Sequence, residues 1–123
     1  MLTGLSGASL WSEDKENLIP FYRDILGLRV LMVENDGYTV FGDNVNKGWL
    51  GIGTHSKVSG TAIDPYRHMI ALGTTSVEEE FVRLKSKGVE FIEQPTDYGD
   101  GFWIATLKDP EGNVVQLFQA PVS

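Results

Sequence analysis

The sequence predicts an α+β fold built from two βαβββ repeats. Three observations support this prediction. Two amphipathic helix patterns occur in the chain, each lies between short apolar runs typical of strands, and clusters of turn residues follow each of these groups. Because the same order of signals occurs twice, the chain resembles an internal duplication in which each repeat supplies half of the structure.

An apolar stripe at helical spacing predicts the first helix, over roughly residues 15 to 26. Gly27 follows the stripe and can end the helix. Pro20 cannot donate a backbone hydrogen bond, so the regular helix is expected to begin only near Asn17 or Leu18. The stripe consists of Leu18, Phe21, Tyr22, Ile25 and Leu26.

A capping box predicts the start of the second helix, because Ser76 precedes Glu79 by three residues. Gly88 is expected to end this helix. Several residues recur between the two halves at an offset of 60 or 61, and strand-like runs flank both helices. The recurring pairs are Phe21 and Phe81, Arg23 and Arg83, and Gly27 and Gly88, and the runs are Leu5 to Leu10, Leu28 to Val33, Met69 to Leu72 and Val89 to Ile92.

The 123 residues are predicted to form a single domain, with a first half at about 1–55, a linker at about 56–65 and a second half at about 66–123. One half alone could hardly bury both faces of its own sheet. The apolar fraction of 41% is sufficient for a core, and the absence of cysteine excludes disulfides and thiolate metal sites.

Composition and charge also limit the partners and the location. The N-terminal residues lack a basic and apolar leader, and no apolar run is long enough to span a bilayer, so we expect a cytoplasmic protein without membrane association. The formal charge of −7 repels a phosphate backbone, and the ten Lys and Arg residues are scattered. Nucleic acid is therefore not expected as a partner.

Three motifs in order resemble the vicinal-oxygen-chelate superfamily, which includes glyoxalase I, extradiol dioxygenases and bleomycin-binding proteins. They are Phe21 to Leu28, Leu84 to Val89, and the turn Asp109 to Asn113, which leads into a strand. The resemblance covers nearly the whole chain. It implies a curved, half-open mixed sheet around a central cavity, and it implies a homodimer, since members of the family commonly pair.

In metal-dependent members of this superfamily, His, Glu or Gln side chains from the first and fourth strands of each half bind the metal. The matching positions here are Gly7, Gly51, Met69 and Gln116. Two glycines and a thioether are poor donors for hard or borderline metals, so no metal cofactor is expected. His68 would reach the cavity face only if the strand slipped by one residue.

The alternation of strand residues then predicts the cavity lining. Small residues are expected at the middle of the face, framed by large apolar side chains with one polar group, which is typical of a small-molecule pocket. The alternative is that the aromatic residues fill the core or a dimer interface. The predicted ligand-binding residues are Trp11, Trp49, Met69, Gln116, Phe118 and His68.

The sequence favours a metal-free protein that binds a small, largely apolar or aromatic ligand. A second hypothesis is a lyase, isomerase or dioxygenase, either metal-dependent through His68 and Gln116 or metal-free. In the metal-free version, loop residues would supply the acid or base. A third hypothesis is a module that mainly mediates dimerisation. The loop candidates are Tyr66, Tyr98, Asp97 and Asp100.

Overall fold

A computed structural model describes residues 1–44 and 46–121. The chain divides into two compact units, Met1–Gly60 and Thr61–Ser123. The first unit contains strands β1 (Gly7–Ser12), β2 (Val30–Val33), β3 (Thr39–Phe41) and β4 (Trp49–Thr54). The second unit contains β5 (Ile70–Gly73), helix α1 (Val77–Ser86), β6 (Phe91–Asp97), β7 (Trp103–Lys108) and β8 (Val114–Gln119).

Each unit has one four-stranded mixed sheet with the same topology. The strand order is β1-β4-β3-β2 in the first unit and β5-β8-β7-β6 in the second. The first strand of each unit pairs in parallel with the last strand, and the remaining neighbours are antiparallel. The predicted α+β fold with two βαβββ repeats and open mixed sheets is confirmed.

The helix predicted at roughly 15–26 is present but irregular. A 3₁₀ turn covers Lys15–Asn17, residues 19 and 20 are α-helical, and a π-helical segment covers Phe21–Ile25. Pro20, the N-cap of the π-helical segment, lacks the N–H that a continuous α-helical ladder would require. The apolar stripe is nevertheless buried: Leu18 and Tyr22 are both 0% exposed. The spacing thus predicted the helical segment and its burial, but not its irregular hydrogen-bond pattern.

Helix α1 begins at the predicted capping box, with the Ser76 hydroxyl accepting a hydrogen bond from the Glu79 N–H at 3.2 Å. It packs against β6, β7 and β8. Its buried residues Val77 and Leu84 belong to the core of the second unit. The strand predicted at Met69 to Leu72 is observed as β5, which begins one residue later, at Ile70, so Met69 precedes it.

Within residues 1–44 and 46–121, no helix has the length and apolar character needed to cross a membrane.

Candidate functional site

One face of the first sheet carries all three glycines of β1 and β4. The parallel register pairs Gly7 with Trp49, Ser9 with Gly51 and Trp11 with Gly53. Paired residues of adjacent strands point to the same side, so these six residues share one face. We call this set the glycine face.

Aromatic rings cover the glycines of this face. A Cβ atom added at Gly7 would overlap the indole ring of Trp49, and one added at Gly51 would overlap the phenol of Tyr38. At Gly53, an added Cβ would lie 2.7 Å from the ring of Tyr38 and 2.8 Å from that of Trp11. The space in which a side chain at position 7 or 51 would begin is therefore occupied.

Tyr38 is held over the sheet by two contacts. Its hydroxyl oxygen lies 2.7 Å from Ser9 Oγ, and the two hydroxyl groups share a hydrogen bond. Its ring stacks on Trp11, with 5.3 Å between centroids and 28° between planes. The His55 and Trp11 rings make an edge-to-face contact, with 5.4 Å between their centroids. His55 Nδ1 accepts a hydrogen bond from the Lys57 N–H. The result is an aromatic layer on the glycine face.

Sequence reasoning did not identify Tyr38. The available signal was the pair Gly51 and Gly53, because two glycines on the same side of a strand permit another group to approach the sheet closely. Tyr38 is an aromatic residue directly after the Asn35-Asp36-Gly37 turn and directly before β3. The local sequence pattern does not reveal which ring occupies the space, because Tyr38 precedes β3 and Gly51 lies in β4, far apart in the sequence.

A pocket of about 410 Å³ opens beside this aromatic layer. Trp11, which is 42% exposed, and Tyr38 form its aromatic wall. The turn between β2 and β3 supplies the rest of the lining with Glu34, Asn35 and Asp36. The sequence predicted Trp11 as a ligand contact, whereas the polar side of the pocket was not predicted.

The second sheet presents a different face away from helix α1. The register pairs Ala71 with Gln116, Gly73 with Phe118, and Thr106 with Gln116. We call these five residues the Gln116 face. The Gln116 and Phe118 side chains are half-buried.

Met69 and His68 lie outside β5, in the segment that leads into it. Met69 is 42% exposed, and His68 is also exposed. Ala71 pairs with Gln116, so the two residues share a face. If the alternation continues before β5, Met69 lies on this same face and His68 on the other. The register therefore does not support the one-residue slip that would turn His68 toward this face.

An aromatic row continues from Phe118. Its ring lies 5.1 Å from that of Phe102, which lies 5.9 Å from that of Tyr98. The Tyr98 hydroxyl donates a hydrogen bond of 2.8 Å to a Glu93 carboxylate oxygen, and this bond raises the pKa of Tyr98 above its ordinary value.

The residues at the four positions that the resemblance matches to metal ligands do not provide a donor set suited to a divalent metal. Positions 7 and 51 offer no donor atom, and the rings of Trp49 and Tyr38 cover them. Met69 offers only a thioether and Gln116 only an amide. In the part of the chain that the structure describes, no three His, Cys, Asp or Glu side chains cluster so as to hold a metal ion.

The chain belongs to the Glyoxalase/Bleomycin resistance protein/Dioxygenase superfamily, whose family model matches residues 4–117. The predicted resemblance is thereby confirmed. Among curated proteins, the uncharacterized protein YurT of Bacillus subtilis is 40% identical over 47 residues. That match covers 38% of this chain and 36% of YurT, so it spans about a third of the curated relative's length.

Solved structures share the fold over nearly the whole chain. TnmS3, an antibiotic binding protein from Streptomyces sp. CB03234, has a TM-score of 0.75 at 22% identity and covers 98% of each chain. A glyoxalase/bleomycin resistance protein from the same organism has a TM-score of 0.72 at 21% identity, covering 94% of this chain and 100% of that one. Lactoylglutathione lyase from Agrobacterium tumefaciens has a TM-score of 0.70 at 16% identity, with coverages of 97% and 95%.

Proposed function

We propose that this protein binds a small, flat, largely apolar or aromatic molecule without a metal cofactor. The observation that carries the proposal is the replacement of metal donors by aromatic rings on the glycine face. Trp49 and Tyr38 fill the positions where donor side chains would begin, and Trp11 remains partly exposed at a pocket of about 410 Å³. That volume lies within the ordinary range of small-molecule sites.

The chemistry of the pocket wall supports a planar ligand. Aromatic rings present large apolar surfaces, and they favour offset stacked or edge-on contacts with other rings. The two wall rings are already held by the stack and by the hydrogen bond between the Ser9 and Tyr38 hydroxyl groups, so little side-chain freedom is lost when a ligand binds. The similarity to an antibiotic binding protein agrees with this proposal, although it rests on the shared fold.

Tryptophan fluorescence titration against a library of flat aromatic compounds tests the proposal. We expect saturable changes for at least one compound at concentrations up to about 1 mM, which corresponds to a binding free energy of about −4.1 kcal/mol. Binding should be lost in Trp11→Ala and kept in Trp103→Phe, which changes a half-buried indole on the second sheet. A flat response to the whole library would contradict the proposal.

Elemental analysis of protein purified without chelator tests the metal-free part. We expect metal well below one equivalent, because the four matching positions lack a suitable donor set. Stoichiometric metal that disappears in His68→Ala would favour the lyase or dioxygenase alternative instead.

We further propose that Gln116 and Phe118 contact a ligand from the second sheet, with Gln116 as the polar group. Gln116→Leu keeps the apolar bulk and removes the amide, so a loss of affinity only for ligands with polar substituents is expected. If this variant binds ligands with polar substituents as tightly as the wild type does, Gln116 is not part of the site.

A homodimer and a cytoplasmic location are also part of the proposal, and light scattering after size-exclusion chromatography tests the dimer.

A further inference from the structure

We infer that the pocket beside the glycine face selects flat ligands that carry a positive charge. This inference rests on the proposed ligand-binding function and specifies the chemical class of ligand. Its basis is the combination, in one pocket, of an aromatic wall from Trp11 and Tyr38 with the carboxylates of Glu34 and Asp36.

The two carboxylates form no close ion pair with the described part of the chain. Neither takes part in a salt bridge within residues 1–44 and 46–121. Asp36 Oδ1 accepts one hydrogen bond, from the Tyr38 N–H at 3.0 Å, and the Glu34 side chain accepts none in the same described ranges. A cation in the pocket would therefore meet two negative charges whose attraction is not already used.

The backbone holds these acids in place. The Glu34 N–H donates to the Tyr38 carbonyl at 2.8 Å, and the Gly37 N–H donates to the Glu34 carbonyl at 2.9 Å. The Asp36 bond to the Tyr38 N–H closes the same turn. Because Tyr38 is also fixed to Ser9, the acidic turn and the aromatic wall form one ordered unit.

Aromatic faces add to the preference for a cation. The negative potential of an indole or phenol face attracts ammonium and guanidinium groups. Lys15 carries the opposing charge, and its side chain lies so close to Gly37 that a Cβ atom added there would overlap its Cε atom. Lys15 does not line the pocket, but its ammonium group is expected to weaken the field of the two carboxylates.

Three probes with one ring system separate charge from shape: 1-naphthylmethylammonium, 1-naphthylmethanol and 1-naphthoate. Isothermal titration calorimetry at low ionic strength should give the ammonium compound the highest affinity, about threefold to tenfold above the alcohol, because two carboxylates line the pocket and each exposed ion pair contributes at most about a factor of five. The naphthoate should bind more weakly than the alcohol. High salt should reduce the difference, since the Debye length falls to about 3 Å at 1 M.

The variant Glu34→Gln/Asp36→Ser removes both charges and retains a hydroxyl that can accept the turn hydrogen bond. In this variant the affinity for the ammonium compound should fall to that for the alcohol, so that the preference disappears. Glu16→Gln/Asp43→Asn changes the net charge equally at exposed positions that do not line the pocket, and it should keep the preference. Lys15→Met should increase the preference.

The outcomes distinguish this inference from the proposed function. If all three probes bind equally and Trp11→Ala abolishes binding, the proposed function stands and the preference for cations is wrong. If none of the three probes binds, the inference is wrong, and the proposed function fails as well if the whole library also gives a flat response. If Trp11→Ala leaves binding intact, both fail at this pocket. If Glu16→Gln/Asp43→Asn loses the preference for the ammonium compound as fully as Glu34→Gln/Asp36→Ser does, the preference reflects the net charge of the protein. That result would also overturn the inference.

Discussion

The two units share a strand order but differ in how they connect and cover their sheets. The first unit joins β1 to β2 through a 3₁₀ turn and a π-helical segment around Pro20, whereas the second uses the ten-residue helix α1. Aromatic rings lie directly on the glycines of the first sheet, whereas nothing lies within 4 Å of a Cβ atom added at Gly73 of the second. The topology thus tolerates large local differences, provided that one face of each sheet is buried.

The comparison indicates which features belong to the fold and which to the site. Leu18 in the first unit and Leu84 in the second are both buried, although Leu18 follows a 3₁₀ turn and Leu84 lies within an α-helix. Burial of the connecting segment is therefore the shared requirement. The aromatic layer and its acidic turn occur on the first sheet, and they carry the proposed binding function.

The largest expected effect tests the shared requirement. Leu18→Ala and Leu84→Ala should each lower the free energy of unfolding by about 2–5 kcal/mol, because both remove a fully buried side chain. Denaturant unfolding measures this loss. Val82→Ala changes a residue of α1 that is 68% exposed, and it should alter stability by no more than about 0.5 kcal/mol. A small effect at Leu18 with a large one at Leu84 would show that the irregular segment is dispensable.

The next effect tests the difference between the glycine face of the first sheet and the Gln116 face of the second. Gly51→Ala should destabilise the protein by about 1–3 kcal/mol, because its Cβ would overlap the Tyr38 phenol. Gly73→Ala is the matched control, and it should be neutral or stabilising by about 0.5 kcal/mol, since nothing lies within 4 Å of the added atom.

Thermal or denaturant unfolding compares the two glycine variants. A double-mutant cycle with Tyr38→Ala extends the test, because the cost of Gly51→Ala should largely disappear once the phenol is removed. Equal costs for Gly51→Ala with and without Tyr38 would contradict the proposed role of this ring.

A smaller effect distinguishes the two helical connections. Ser76→Ala should cost about 1 kcal/mol, because it removes the cap of a full α-helix. Asp14 caps the 3₁₀ turn by accepting a hydrogen bond from the Glu16 N–H at 3.0 Å, and Asp14→Ala should cost less because only one short turn depends on it. Urea unfolding midpoints would reveal the order, and a larger loss at Asp14 would reverse this part of the comparison.

The smallest effect concerns pH and the exposed Arg23–Asp24 pair of the first unit. The hydrogen bond from Arg23 lowers the pKa of Asp24 below its ordinary value of 3.8. A lowered pKa in the folded state stabilises the protein above the unfolded-state value, and this stabilisation is lost as the pH falls through the folded-state pKa. Asp24→Asn should therefore be slightly less stable than the wild type at pH 7.

Unfolding midpoints at pH 7 and below about pH 3 test this expectation, because the difference between Asp24→Asn and the wild type should vanish in acid. Asp43→Asn provides the control, since Asp43 is exposed and forms no salt bridge in the described ranges. A difference for Asp24→Asn that persists in acid would mean that the variant acts through something other than charge.

Much of the fold could be predicted from particular residues. The capping box at Ser76 and the apolar spacing at Leu84 depend on local geometry, so they predicted α1 closely. The irregular helix around Pro20 was harder, because spacing reports which side chains are buried and not the hydrogen-bond ladder. Trp11 could be predicted from strand alternation, whereas the contact of Tyr38 with Gly51 depends on packing between β4 and the residue that leads into β3.

Calorimetric titration with 1-naphthylmethanol after dialysis against EDTA tests the central claim most directly. The account predicts saturable one-site binding that is unchanged by added Zn²⁺ or Mn²⁺ and is lost in Trp11→Ala. Binding that occurs only after one of these metals is added would contradict a metal-free site formed by the aromatic layer.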